Sequence, residues 1–193
     1  MPLTGASLGS SVTPSISERS RDRVQSAIDR LEASYGTFPV NTDDLTVGTD
    51  RYRAARDRFT TGSVGYAGAW LVNDVGEVLL VSDVGRDGWS EPAGAHEPGE
   101  TLEETAIREV REETGIECRL TGVALGHVIR LVEEDVADSP PLSQLVVAFN
   151  GEPVRGRVWP VDDAIEDARW WASHPNSLVY EGLRDLEIPA GDG

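Results

Sequence analysis

The sequence predicts a sandwich of the α/β or α+β class, because segments with strand periodicity alternate with segments of helical periodicity. No internal repeat interrupts this alternation. A chain of 193 residues with 39% hydrophobic content is long and apolar enough to bury a substantial core. We therefore expect one main domain with a modest addition.

The first segments are predicted to be a tail and a helix. Residues 1–16 are rich in Ser, Gly, Thr and Pro without a hydrophobic period, which predicts a flexible tail. Residues 17–62 are predicted to form an N-terminal helical extension, whose first helix is capped by Ser17 and ends near Gly36. Helical spacing of apolar residues supports this helix at Val24, Ala27, Ile28 and Leu31.

The rest of the extension is predicted to be a loop over 37–48 and a short second helix over 50–59. Tyr52, Ala55 and Phe59 share one side of that helix. The helix also carries four arginines, which either contact substrate phosphates or, as we favour in so acidic a chain, form internal ion pairs. They are Arg51, Arg53, Arg56 and Arg58.

The main domain is predicted to span 63–190. Apolar runs at 64–72 and 78–81 flank a turn signal at 73–76, which predicts a β-hairpin. An acidic helix interrupts the strands. Further strands are predicted at 120–132 and 145–149, and further helices near 161–172 and 178–186.

The charge balance is strongly acidic, with 34 acidic residues against 17 basic residues and a net charge of −17. All the basic residues are arginine. This composition resembles that of cytoplasmic proteins from halophilic archaea, where salt screens the self-repulsion of the surface, although GC-rich coding also favours arginine. A duplex nucleic-acid partner is disfavoured, because such binding needs basic contacts to phosphates.

The compartment is expected to be the cytoplasm. No apolar run is long enough to cross a membrane, and the N-terminus has no secretory pattern. Cys118 is the single cysteine, so neither an intramolecular disulfide nor a cysteine-based zinc site is expected. We interpret Cys118 as a small core or semi-buried residue without a chemical role.

The segment from Gly94 to Ile116 has the features of a tight loop followed by a helix. Gly94, Pro98 and Gly99 favour a sharp loop. Thr101 and Glu104 fit a capping box that begins a helix, and Gly115 is placed to end it. This local pattern predicts a loop–helix unit.

Three carboxylates of this helix fall on one side. At about 100° per residue, Glu109, Glu112 and Glu113 occupy a sector of about 100° beside the apolar stripe that faces the sheet. Like charges at this spacing repel one another, and a divalent cation removes that cost. Oxygen ligands alone suit Mg²⁺ or Mn²⁺, and Arg108 is placed to orient a carboxylate.

The simplest alternative is a solvated acidic helix, but the complete spacing resembles the box of the Nudix (MutT-like) hydrolase family. The pattern of that box is Gly-x5-Glu-x7-Arg-Glu-U-x-Glu-Glu-x-Gly-U, where U is a bulky aliphatic residue. Its fixed positions are matched by Gly94, Glu100, Arg108, Glu109, Val110, Glu112, Glu113, Gly115 and Ile116.

The resemblance implies an α/β/α sandwich with a mixed sheet and attack of water on a diphosphate linkage. It implies Mg²⁺, or Mn²⁺, held by Glu109, Glu112 and Glu113. Glu100 is expected to support the metal site and Arg108 to orient the glutamates. The backbone carbonyl of the residue before the box, here Ala93, is also expected to bind metal, and a homodimer is an expectation of the family.

The substrate remains open at this point. Markers typical of ADP-ribose, NADH and coenzyme A hydrolases are missing, and the sequence does not choose between a nucleoside triphosphate and another nucleoside diphosphate derivative. Trp89 either stacks on a base or packs against the loop. His96 is expected to be an exposed loop residue, with phosphate contact as the alternative. The general base outside the box has three candidates, Glu166, Glu133 and Glu134.

Two other functions compete with hydrolysis. One is a nucleotide-sensing Nudix module that binds without cleaving, although the intact glutamates argue against it. The other is diphosphate isomerase chemistry on the same fold, for which the expected cysteine and metal-binding histidines are missing. A hydrolase acting on a small nucleotide-type diphosphate is the prediction.

Overall fold

The computed structural model describes residues 13–189, so residues 1–12 of the predicted tail lie outside the described residues. The elements follow in this order: α1 (Ile16–Tyr35), β1 (Val40–Val47), α2 (Thr49–Thr61), β2 (Gly65–Leu71), β3 (Val78–Asp83), β4 (Ala93–Ala95), α3 (Leu102–Thr114), β5 (Glu117–Glu133), β6 (Leu142–Arg155), β7 (Ile165–Trp171) and a short 3₁₀ helix (Glu181–Asp185). None of the described helices is long and apolar enough to span a bilayer.

A mixed five-stranded sheet forms the centre, in the order β1-β5-β6-β2-β4. The pairs β1–β5 and β2–β6 are parallel, whereas β5–β6 and β2–β4 are antiparallel. Strands β3 and β7 form a separate antiparallel pair. The predicted α/β sandwich with a mixed sheet is therefore confirmed.

Helices cover both faces of this sheet. On one face, which we call the core face, α1 and α3 bury their apolar stripes against alternate residues of β2 and β6, among them Ala67, Leu145 and Val147. On the other, which we call the open face, α2 packs on Leu131 and Leu142. The C-terminal segment packs on the same face through Leu183 against Trp70. Alternation of side chains along each strand separates the two faces.

Helix α1 begins two residues earlier than predicted. Ser15, not Ser17, is the N-cap, and it forms a capping box in which each of Ser15 and Glu18 accepts from the other's backbone N–H. The Ser17 hydroxyl instead donates to the carbonyl of Pro141 at 2.7 Å. The apolar period alone does not fix the cap, because both serines precede it. The predicted end at Gly36 is confirmed.

The loop predicted over 37–48 is wrong, because most of it is strand β1. Eight residue pairs, from Val40–Gly126 to Val47–Glu133, join β1 to β5. Its side chains are largely exposed, so the segment carries no hydrophobic alternation. The extension before residue 63 is thus not purely helical, although α2 forms as predicted and buries Tyr52, Ala55 and Phe59.

The predicted β-hairpin between β2 and β3 is also wrong. Only one bridge, Val72–Val78, joins the two segments before they enter different sheets. The turn itself forms, since the Asn73 side chain accepts from the backbone N–H groups of Val75 and Glu77. Strand β2 already pairs with β4 and β6 and has no free edge for β3.

The late helices predicted near 161–172 and 178–186 are wrong as well. The first region contains strand β7, whose Trp171 pairs with Val78 of β3. The second contains only the 3₁₀ helix. Aromatic residues favour strands when a partner strand is available, and β3 provides that partner.

Candidate active site

Helix α3 carries the predicted acidic face, and its ends form as the sequence predicts. Thr101 and Glu104 form a capping box, and Gly115 ends the helix in the left-handed conformation at φ 72°. A Cβ at Gly115 would stand 2.7 Å from the Trp159 indole nitrogen, so this position also needs glycine for space. Burial of Leu102, Ala106 and Val110 on the core face leaves the glutamates at the edge of the sheet.

Arg108 is the centre of an ion-pair network. Its Nε and Nη2 donate to the two oxygens of Glu100 at 2.8 and 3.0 Å, and its Nη1 donates to Glu109 at 2.5 Å. Nη1 also lies 3.3 Å from Glu112, and Nη2 donates to the carbonyl of Ala95 at 3.0 Å. The guanidinium therefore fixes the loop and the helix to each other, and it lowers the pKa of Glu100 to about 2.

Gly94 is required by the close approach of Glu109. A Cβ at this position would stand 2.1 Å from the carboxyl carbon and Oε1 of Glu109. The Glu109 side chain is only 13% exposed. Burial raises the pKa of Glu109 above its usual value even though Arg108 opposes the shift.

Glu113 lies one helical turn further along, against strand β4. The backbone N–H of Ala93 donates to its Oε2 at 3.1 Å. Burial raises the pKa of Glu113 to about 8, and repulsion from Glu109, Asp83 and Asp162 adds to the rise. The negative charges of Asp83 and Asp162 near the helix were not anticipated from the sequence, because both residues reach it only through the fold.

These groups suit a hard divalent cation in their chemistry. All are oxygen donors, and the raised pKa values of Glu109 and Glu113 reflect carboxylates crowded in a partly buried place. A cation would offset that cost. Within residues 13–189, however, no three carboxylate, histidine or cysteine groups already form a cation-sized cage. Arg108 now occupies part of the coordination space of Glu109 and Glu112.

A cavity of about 730 Å³ opens beside Glu113 on the open face of the sheet. Ala93, Gly94 and Glu113 form one end, and Asp83 and Arg86 lie on its wall. Its floor is made by side chains of β1, β5 and β6, and its roof by residues 179–182. The acidic face of α3 therefore meets a cavity of the size of ordinary ligand pockets.

Glu91 is a buried acid of this cavity that sequence reasoning did not identify. It is 2% exposed, it accepts a hydrogen bond from the Tyr180 hydroxyl, and its Oε2 has no partner among the described residues. Burial raises the pKa of Glu91 to about 7. The only available signal was its position just before the box.

Trp89 does not line this cavity. Its ring packs edge-on against Trp171, with ring centroids 4.9 Å apart, and the Arg169 guanidinium lies over it at 4.7 Å. The structure thus places the Trp89 ring against β7 rather than in the lining of the cavity. Base stacking by Trp89 remains an untested prediction.

The histidines have structural surroundings. His96 is only 8% exposed, which corrects the expectation of an exposed loop residue. Its Nδ1 accepts from the N–H of Val64, and its Nε2 lies 2.8 Å from the carbonyl of Glu100. His127 contacts Asp43 on the cavity floor at 2.7 Å. His174 stacks on Trp70.

The remaining candidates lie apart from the cavity. Glu166 is exposed on β7, and Glu133 accepts from Ser139 at the far end of β5. Neither these residues nor Glu134 line the cavity. Cys118 is partly buried, and burial raises its pKa to about 11, consistent with its interpretation as a semi-buried, unreactive residue.

Comparisons with known proteins place this chain in a family. Residues 64–179 match the NUDIX domain model. Nucleoside diphosphate-linked moiety X motif 6 of Xenopus laevis is 47% identical over 99 residues, which cover 48% of this chain and 46% of that protein. Phosphatase NudJ of Escherichia coli O1:K1 is 34% identical over 126 residues, covering 60% of this chain and 78% of that protein.

A solved structure supports the fold. The NUDIX hydrolase from Nitrosomonas europaea superposes with a TM-score of 0.50 at 19% identity, over 62% of this chain and 65% of that one. The region before residue 64 lies outside the family match. The match covers more than half of the chain, and the chain belongs to the NUDIX domain family.

Proposed function

We propose that this protein is a divalent-metal-dependent hydrolase that cleaves a diphosphate linkage in a nucleotide-type substrate by attack of water. The observation that carries the proposal is the position of Glu113. It belongs to the acidic face of α3 and also forms, with Ala93 and Gly94, one end of the 730 Å³ cavity. A substrate in the cavity would present its diphosphate to these carboxylates.

In this proposal, Glu109, Glu112 and Glu113 hold Mg²⁺ or Mn²⁺, and the carbonyl of Ala93 is an additional candidate ligand. A metal bound there would polarise a phosphoryl oxygen and lower the pKa of the attacking water. Half of the Glu112 side chain is exposed, at 47%, so it can turn toward a cation without repacking the core.

Arg108 and Glu100 are assigned as positioning residues. The two bonds from Arg108 to Glu100 fix the plane of the guanidinium. That plane in turn aims Nη1 at Glu109. Replacement by lysine would keep the charge but lose the fork that contacts both carboxylates at once.

Arg86 is assigned to the substrate phosphates. Among the described residues, it is the one arginine that lines the cavity, and it lies on the same wall as Asp83. The pair Arg86–Asp83 is loose at 3.5 Å and 58% of the Arg86 side chain is exposed. The guanidinium is therefore free to move toward a bound phosphate.

A substrate screen tests the proposal. The protein is incubated with Mg²⁺ or Mn²⁺ and nucleoside triphosphates, nucleotide sugars, ADP-ribose and dinucleoside polyphosphates, at low and at molar salt. We expect metal-dependent turnover of at least one compound, and loss of that turnover on addition of EDTA.

Matched variants separate the acidic face from general charge effects. Glu112→Gln is expected to lose most of the turnover, whereas Glu97→Gln, an equal charge change in the exposed loop, retains it. Turnover that Glu112→Gln leaves unchanged would contradict the assignment. Tight nucleotide binding without product would indicate a sensing module instead.

A further inference from the structure

A second, smaller pocket of about 150 Å³ lies between α2 and the open face of the sheet. Arg51 and Arg58 of α2 line it, together with the amide of Gln144 on β6. No carboxylate lines this pocket among the residues that the structure describes. Such a lining is unexpected in a chain with twice as many acidic as basic residues.

The two arginines also lack the ion pairs expected from the sequence. Within residues 13–189 neither is bridged to a carboxylate, whereas Arg53 of the same helix pairs with Asp50 at 3.8 Å. Arg58 Nη2 donates to the Tyr66 hydroxyl at 2.7 Å, but its Nε is buried without an acceptor. Buried donors are normally satisfied, so the described residues leave the Arg58 guanidinium both incompletely hydrogen-bonded and without a counter-charge.

This pocket adjoins the cavity beside Glu113. Four side chains line both spaces: Leu45, Tyr66, Ile129 and Val146. The lining of the larger cavity contains five carboxyl groups and one arginine, Arg86. An anionic group of a bound ligand is therefore favoured at the arginine end rather than along the cavity floor.

The strand register separates this end from the acidic face of α3. Gly68 pairs with Ala93 on one side and Ala148 on the other, so Ala148 is level with the box. Gln144 lies four residues away on the same strand, or about 13 Å. This separation is greater than that between the adjacent phosphates of one diphosphate. An anion at Arg51 and Arg58 would thus be a different group of the substrate.

We propose that Arg51, Arg58 and Gln144 form a phosphate subsite that recognises a further phosphate monoester on the nucleoside part of the substrate. The inference rests on the proposed function for the position of the scissile diphosphate. It assigns a role to α2, which precedes the family match. The preferred substrate is a nucleoside diphosphate derivative whose ribose is itself phosphorylated.

Matched nucleotides test the subsite by binding alone. Adenosine 2′,5′-bisphosphate and adenosine 3′,5′-bisphosphate are compared with AMP by calorimetry on the full chain without metal. We expect at least one bisphosphate to bind about tenfold more tightly than AMP, equivalent to about 1.4 kcal/mol. The preference should decrease as salt concentration rises, because charge attraction is screened.

Variants of one helix provide the control. Arg51→Gln, at an exposed position, and Arg58→Gln are each expected to reduce the preference, and Arg53→Gln is expected to retain it. Thermal unfolding shows whether Arg58→Gln remains folded, and Arg51→Gln keeps the test valid if it does not. Equal binding of AMP and both bisphosphates would overturn the subsite. A preference for a bisphosphate that is unchanged both in Arg51→Gln and in a folded Arg58→Gln would overturn it as well.

Turnover then separates the two proposals. NADPH and NADH, or coenzyme A and its dephospho form, differ by one ribose phosphate and both contain a diphosphate. Cleavage of both members of each pair without preference would contradict the subsite and support the hydrolase. A binding preference for a bisphosphate over AMP, without cleavage of any diphosphate, would contradict the hydrolase and support the subsite.

Discussion

Replacing Gly94 by alanine is expected to damage the site through a single contact. The new Cβ would stand 2.1 Å from the Glu109 carboxyl group, whereas ordinary contacts begin at 3.4 Å. The loop or the Glu109 side chain must therefore shift by more than 1 Å. Glu109 cannot shift freely, because Arg108 holds it at 2.5 Å.

The magnitude follows from this overlap. Forcing an extra carbon into a well-packed site costs about 1–3 kcal/mol of folding stability. Displacement of a catalytic group by about 1 Å lowers turnover by about 100-fold. We therefore expect both effects in Gly94→Ala, with the loss of turnover exceeding the share explained by unfolded protein.

A double-mutant cycle measured by urea unfolding tests the cause. In a Glu109→Ala background the obstructing carboxyl group is gone, so Gly94→Ala should cost less than about 0.5 kcal/mol. Gly122→Ala is a control, since its Cβ would meet Asn150 only at 3.8 Å. An equal cost of Gly94→Ala in both backgrounds would refute the steric explanation.

Three further predictions concern charge. Glu91 has a pKa of about 7 in the folded protein against an ordinary 4.5, so its contribution to folding stability is lost as pH rises from 4.5 to 7. Glu91→Gln should therefore stabilise the protein above pH 7 by up to about 3 kcal/mol but not below pH 4.5. Equal gains at both pH values in thermal unfolding would contradict this. Because the pKa of Glu113 is about 8, Mg²⁺ binding below that pH should release protons. The heat of Mg²⁺ binding measured by calorimetry should then differ between two buffers of different ionisation enthalpy. Identical heats would argue against Glu113 as a ligand. With a net charge of −17, the unfolding temperature should rise between low and molar NaCl, and a constant value would show that self-repulsion is unimportant.

The parts of the site that depend on local sequence were predictable. The capping box of Thr101 and Glu104, the end at Gly115 and the clustering of the glutamates follow from spacing within one helix. The structure adds the reason for Gly94, whose missing side chain makes room for Glu109. Arg108 contacts more groups than spacing indicated, because the loop returns Glu100 and Ala95 to it.

The parts that depend on distant partners were not predictable in the same way. Strand β1 has few buried side chains, and its pairing with β5 joins residues that are 86 positions apart. Strand β7 forms because β3 offers an edge. The cavity roof brings Tyr180 to Glu91 across 89 residues, and such contacts leave no periodic pattern.

The surroundings of the arginines in α2 were also not predictable from the sequence. Acidic composition favoured internal ion pairs for all four, yet among the described residues only Arg53 has one. Arg51 and Arg58 instead line a pocket whose other walls come from β1, β2, β5 and β6. Composition describes the average surroundings of a charge, and the fold decides the particular ones.

The most direct test of the central claim is anomalous diffraction from crystals soaked with Mn²⁺, recorded at the manganese edge. The proposed function predicts an anomalous peak within coordination distance of oxygens of Glu109, Glu112 or Glu113, at the end of the cavity. It predicts no such peak in crystals of Glu113→Gln. A peak confined to other carboxylates, or no peak at the acidic face of α3 in the wild-type protein, would contradict it.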